Sequence, residues 1–151
     1  MVECAKQGVP SSSQMPGINQ VTIATDGAYS QSREMGGYAF VMYIDNDEVA
    51  RYMRPVHKAT NNIAEMMAML SALRYVKAKG LKCTIISDSM YVIGGLTLGW
   101  SKEANKALWD QLCSVYGSVK DQVEIKHVKG HASNDMNNSA DLYAVLAGGG
   151  Y

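Results

Sequence analysis

The chain has no run of about 18 apolar residues, the length a membrane-spanning helix needs, so no membrane association is expected. Its first residues, Met1–Val2–Glu3–Cys4–Ala5–Lys6, lack the apolar stretch of a secretory signal. Cysteine is scarce: Cys4, Cys83 and Cys113 are odd in number and form no Cys-x-x-Cys pair. That excludes a disulfide framework and a cysteine-built zinc site, and it fits a reducing cytoplasm. Cys83 and Cys113 sit among apolar residues and are expected in the core. Excess charge is also missing. Fourteen basic residues balance fourteen acidic ones, so the chain lacks the positive surplus that supplies most of the affinity of many nucleic-acid binders. A cluster of acids in one place would leave the remaining surface more basic than this total implies.

What is present suits one domain with a real core: 151 residues, 47% of them hydrophobic. Residues 1–19, with Gly8, Pro10, Ser11–Ser12–Ser13, Pro16 and Gly17, show no apolar period and read as a disordered leader. The domain is expected over 20–147, with a short Gly-rich tail over 148–151. Val21–Thr25 is a β-branched run that reads as a strand ending at an Asp26–Gly27 turn. Gly37–Ile44 and Val49–Met53 follow as strands around an Asp45–Asn46–Asp47 turn. Ile63, Met66/Met67, Leu70, Leu73 and Val76 recur at helical spacing, which predicts a helix over Asn62–Ala78 stopped by Gly80. Lys82–Ser87 is a fourth strand breaking into a helix at Asp88–Ser89. A helix over Lys102–Tyr116, a strand over Gln122–Val128 and a helix over Asn137–Leu146 complete the chain. Trp109 falls at helical apolar spacing and is expected in the core. The order β-β-β-α-β-α-α-β-α implies an α/β (mixed α+β) fold, a meander joined to parallel strands with helices over the sheet.

Four acids stand at the edges of these elements: Asp26, Glu65, Asp88 and Asp141. Each has an ordinary reading. Asp26–Gly27 is a common turn, Asn62-x-x-Glu65 fits a capping box, Asp88 fits an N-cap, and Asp141 fits a solvated helix face. Together they read differently, because a mixed sheet can bring such residues to one rim. Two carboxylates ~4 Å apart repel by about 4 kcal/mol at an effective dielectric near 20. Such a group is stable only when protons or cations neutralise it. All-oxygen ligation selects a hard cation, with Mg²⁺ the natural occupant.

Thr25-Asp26-Gly27-Ala28, Thr60-Asn61-Asn62-x-x-Glu65, Ser87-Asp88-Ser89-x-Tyr91-Val92, Val128-Lys129-Gly130-His131 and Asn137-x-x-Ala140-Asp141 resemble the type 1 ribonuclease H motifs, in that family's order. The resemblance implies the ribonuclease H-like fold, a five-stranded mixed sheet of order 3-2-1-4-5 flanked by helices. It implies an endoribonuclease that cuts the RNA strand of RNA–DNA hybrids and leaves 5′-phosphate and 3′-hydroxyl ends. Asp26, Glu65, Asp88 and Asp141 would hold two Mg²⁺ ions, with Mn²⁺ able to substitute, and His131 would assist proton transfer or product release. Asp135 is the nearest rival to Asp141. Gly27, Ala28, Lys58, Thr60, Asn61, Asn62 and Asn137 would contact the hybrid, and the fold works as a monomer.

The chain departs from the family pattern in three places. Met90 stands where bacterial relatives often have a Gln, and Tyr29 and Ser32 replace a Cys and an Asn. Residues Gly99–Asn105 form a short segment with one lysine, Lys102, where many bacterial members carry a longer basic protrusion. Trp100 is left there to pack or to touch substrate. Weaker, salt-sensitive substrate binding is expected.

Overall fold

Strand β1, Val21–Ser30, alternates its two faces between two cores. Ile23 packs with Phe40 and Ile85, while Ala24 packs with Val41, Tyr43, Ile86 and Ala140. This period of two is what a strand buried on both faces requires. The structure, a computed structural model, describes residues 20–129 and 134–149. The expected leader and His131 lie outside the described residues.

Strand β2, Met35–Ile44, pairs antiparallel along the whole of β1, from Val21↔Ile44 to Ser30↔Met35. A two-residue Asp45–Asn46 turn, with Asp45 in the left-handed region at φ 56°, leads into β3, Asp47–His57. Strand β4, Cys83–Ser87, runs parallel to β1, and β5, Val123–His127, runs parallel to β4. The sheet order is β3-β2-β1-β4-β5, as the family resemblance implied.

Helix α1, Asn61–Lys79, lies over β1 and β2 and buries Met66, Met69, Leu70, Leu73 and Val76. Gly80, at φ 63°, closes it with an N–H to Val76 O, a conformation that suits glycine. Helices α2, Met90–Thr97, and α3, Lys106–Val119, share that core through Val92, Trp109 and Leu112. Helix α4, Asp135–Ala147, covers the opposite face, against β1, β2 and β3. Among the described residues no helix is long and apolar enough to cross a membrane.

Several expectations need correction. Asp26–Gly27 is not a turn: β1 continues to Ser30, because β2 supplies partners for Asp26 (Ala39) and Gly27 (Tyr38). Pairing across strands overrides the local turn preference. Helix α3 begins at Lys106 and not Lys102, since Asn105 sits at φ 60° and spends its side chain on Tyr91 Oη. Cys83 is buried as expected, but Cys113 is exposed, on the outer face of α3. Trp109 is 1% exposed, as its spacing predicted.

Candidate active site

The parallel pairing of β1 with β4 ends at Ala24↔Ile86, so both strands release their next residues at one rim of the sheet. Asp26 follows on β1, and Asp88 follows the last residue of β4. Functional groups gather where neighbouring strands diverge in this way. Thr25 Oγ1 donates to Ile86 O at 3.3 Å and ties the two strands together beneath the site. Ser87 Oγ accepts from Ser89 N at 3.0 Å, and Ser89 Oγ caps α2 by accepting from Val92 N at 3.3 Å. Ser89 therefore does the capping that Asp88 seemed suited to, and Asp88 is free to face the rim.

Glu65 comes from the second turn of α1. The capping box that is its ordinary reading does not form. Thr60 is the N-cap, its Oγ1 accepting from Ile63 N at 3.1 Å. Glu65 Oε1 instead accepts from Gly27 N at 2.8 Å, and the same N–H reaches Asp26 Oδ1 at 2.9 Å. One backbone donor thus holds two carboxylates side by side.

One ligand oxygen each from Asp26, Glu65 and Asp88 lie within 4.8 Å of one another. Asp26 is 3% exposed and Glu65 9%, too buried for water to screen their repulsion. Burial holds Asp26 far above the ordinary carboxylate range, and the neighbouring Glu65, Asp88 and Asp141 charges add to it. Burial and the Asp88 charge raise Glu65 as well, while its bonds to Asp26 and Gly27 act the other way. Both acids are thus pushed toward their protonated forms in the absence of a cation. Among the described residues Asp88 Oδ1 is buried with no hydrogen-bond partner. A buried carboxylate oxygen left bare is costly unless something positive meets it. Among the described residues the ligand atoms of this group are all carboxylate oxygens, which suit a hard divalent cation.

Asp141 lies half-buried on α4, close enough that its charge acts on Asp26, whereas Asp135 is exposed in the first turn of that helix. Asn137 is 1% exposed and donates Nδ2 to Thr25 O at 3.4 Å, pinning α4 to β1. Ala28 is half-buried on β1, and Lys58, Thr60, Asn61 and Asn62 are exposed around the start of α1. Sequence reasoning passed over Gly94 and Gly95. A Cβ on Gly94 would lie 2.0 Å from the Trp100 ring, and one on Gly95 would lie 2.2 Å from the Trp109 ring. Their adjacency just after Asp88 was the only signal.

The RNase H family model matches residues 18–148. The ribonuclease HI of Rickettsia prowazekii is 36% identical over 140 residues, spanning 84% of this chain and 90% of that protein. The ribonuclease H of Treponema denticola is 33% identical over 155 residues, spanning 84% of this chain and 96% of its own length. Among solved structures, LC11-RNase H1 in complex with an RNA/DNA hybrid shares the fold with a TM-score of 0.71 at 16% identity, covering 86% of this chain and 97% of its own. A match over nearly the whole described fold, with the acid cluster at its sheet rim, makes this chain a member of the RNase H family.

Proposed function

We propose that this chain hydrolyses the RNA strand of RNA–DNA hybrids at internal positions, using Mg²⁺ held by Asp26, Glu65, Asp88 and Asp141. The observation that carries the reading is the Asp26–Glu65–Asp88 group, with Asp26 and Glu65 buried and Asp88 Oδ1 bare among the described residues. Divalent ions at such a site lower the pKa of an attacking water and stabilise the leaving oxygen of a phosphodiester, here leaving 5′-phosphate and 3′-hydroxyl ends.

The chain's own residues orient the reaction. Gly27 N–H fixes the Glu65 carboxylate, and the serines on either side of Asp88 fix its backbone. Ala28, Asn61 and Asn62 line the approach, where a ribose 2′-hydroxyl distinguishes RNA from DNA across a wide minor groove, while Gly27 and Asn137 are buried beneath it and hold Glu65 and α4 in place. Lys58 and Thr60 stand exposed beside them, suited to a phosphate of the DNA strand. His131 takes the role of moving a proton near neutral pH, which an imidazole does readily. Four of the fourteen acids belong to this site, so ten face fourteen basic residues elsewhere. The surface offered to phosphates is therefore mildly basic despite a net charge of zero.

The test is a side-by-side digestion of RNA–DNA, RNA–RNA and DNA–DNA duplexes with Mg²⁺, with Mn²⁺ and with excess chelator. Internal cuts confined to the RNA of the hybrid, absent with chelator, are expected. Degradation of duplex DNA from its ends would overturn the reading.

A further inference from the structure

Tyr29 stands on the same face of β1 as Gly27, two residues along, and its hydroxyl accepts from Ala59 N at 2.9 Å. Its ring has room because its cross-strand partner is Gly36. A Cβ on Gly36 would lie 2.9 Å from Tyr29 Cδ1, and closer still to Ala28 O. The adjacent amide is also held: Lys58 N donates to Glu34 O at 3.1 Å. Lys58 itself sits in the left-handed region at φ 50°, a conformation that costs a lysine free energy and persists only where its surroundings enforce it. Thr60 then caps α1. Three successive residues, 58 to 60, are thus fastened, two of them to the β1–β2 hairpin. The side chains displayed around that segment, Lys58, Thr60, Asn61 and Asn62, are all exposed. The Tyr29 hydroxyl reaches across 30 residues to do this.

We propose that Tyr29 is a positioning residue for substrate: its hydroxyl locks the Lys58–Thr60 segment to β1, so that Lys58 and the start of α1 meet a backbone phosphate in register with Gly27 and Ala28. The proposal rests on the hybrid-nuclease reading above. Gly27 and Tyr29 divide the work on one strand face. The first holds the carboxylate that does chemistry, and the second holds the loop that grips the duplex. Loss of the hydroxyl therefore weakens binding and leaves the chemical step intact.

The experiment compares wild type, Tyr29→Phe, Lys58→Ala and the double variant. It measures amide hydrogen exchange at Ala59, and KM and kcat on an RNA–DNA hybrid at two salt concentrations. Tyr29→Phe should speed exchange at Ala59 and raise KM about two- to tenfold, the change one ordinary hydrogen bond gives, with kcat unchanged. The slope of log KM against log salt should fall by roughly one phosphate contact. The double variant should be no worse than Lys58→Ala alone, because both remove the same contact. Unchanged Ala59 protection, a fall in kcat without a rise in KM, or additive effects of the two substitutions would each overturn the proposal. A wild-type chain that leaves the hybrid intact would instead defeat the functional reading and the substrate part of this one. The Ala59 exchange rate would still decide whether Tyr29 fastens the segment.

Discussion

Gly27 N–H donates to Glu65 Oε1 at 2.8 Å and ties the central strand to the face of α1 that carries Glu65. The approach is close enough to exclude any side chain: a Cβ on Gly27 would lie 2.4 Å from Ala64 C and 2.5 Å from Glu65 N. Both are backbone atoms, so the helix itself would have to move. Gly27→Ala is expected to cost about 1–3 kcal/mol, the usual range for overpacking. It should also lower hybrid cleavage by about 10²-fold, since a shift near 1 Å in a reacting group has that effect. Urea denaturation and single-turnover rates check the two parts separately.

Asp88→Asn separates activity from folding. The carboxylate leaves Oδ1 buried and unpartnered, and its charge raises both Asp26 and Glu65. A neutral amide removes that repulsion and also removes one of the carboxylates proposed to hold the metal. Cleavage in Mg²⁺ should fall to background while the metal-free variant melts at the same temperature as wild type or higher. Wild-type turnover in this variant would sink the metal-dependent mechanism.

The metal-free protein should lose stability as pH rises. Burial and neighbouring carboxylates push Glu65 up to about 8 and Asp26 up to about 10, against about 4 for carboxylates in an unfolded chain. The folded state thus keeps protons that the unfolded state has already released. Their stabilising contribution is complete below about pH 4 and is lost as pH climbs through the two folded values. In excess chelator the melting temperature should therefore decline across neutral and alkaline pH. Saturating Mg²⁺ should flatten the decline, because the cation takes the place of the protons and its uptake releases them. Asp26→Asn should flatten it without metal. Matching slopes for wild type and this variant in chelator would contradict the assignment.

Much of this architecture was legible in the chain itself. The β-branched run at Val21–Thr25, the helical spacing from Ile63 to Val76 and the stop at Gly80 depend on neighbours within a few residues. Local sequence therefore reports them. The five motif blocks carried the acids and the strand order. What escaped depends on partners far along the chain. Asp26 stays in a strand because Ala39 pairs with it, and Glu65 forms no capping box but accepts from Gly27, 38 residues away. Tyr29 looked like an unexplained replacement until its hydroxyl met Ala59. Cys113 failed for the opposite reason: apolar neighbours in sequence said nothing about which side of α3 it occupies.

The two glycines of α2 give the sharpest contrast between similar substitutions. Both lie within the short helix that follows Asp88, and both have a tryptophan ring where a Cβ would go. Trp109 is 1% exposed, and its Nε1 donates to Tyr91 Oη at 3.2 Å, so it has nowhere to move. Trp100 is 47% exposed and can swing toward solvent. Alanine favours a helix interior over glycine by about 0.8–1.0 kcal/mol, which works in favour of both substitutions. At Gly95 the clash outweighs that gain, because overpacking against an immobile ring costs about 1–3 kcal/mol and shifts the helix that follows Asp88. At Gly94 the ring yields and the helical preference offsets most of the loss. Gly95→Ala should therefore lower the urea midpoint and the cleavage rate together. Gly94→Ala should leave both near wild type and change the emission of Trp100 as it becomes more exposed. Tryptophan fluorescence alongside urea denaturation of the two variants checks this, and equal destabilisation would show that Trp100 is as fixed as Trp109.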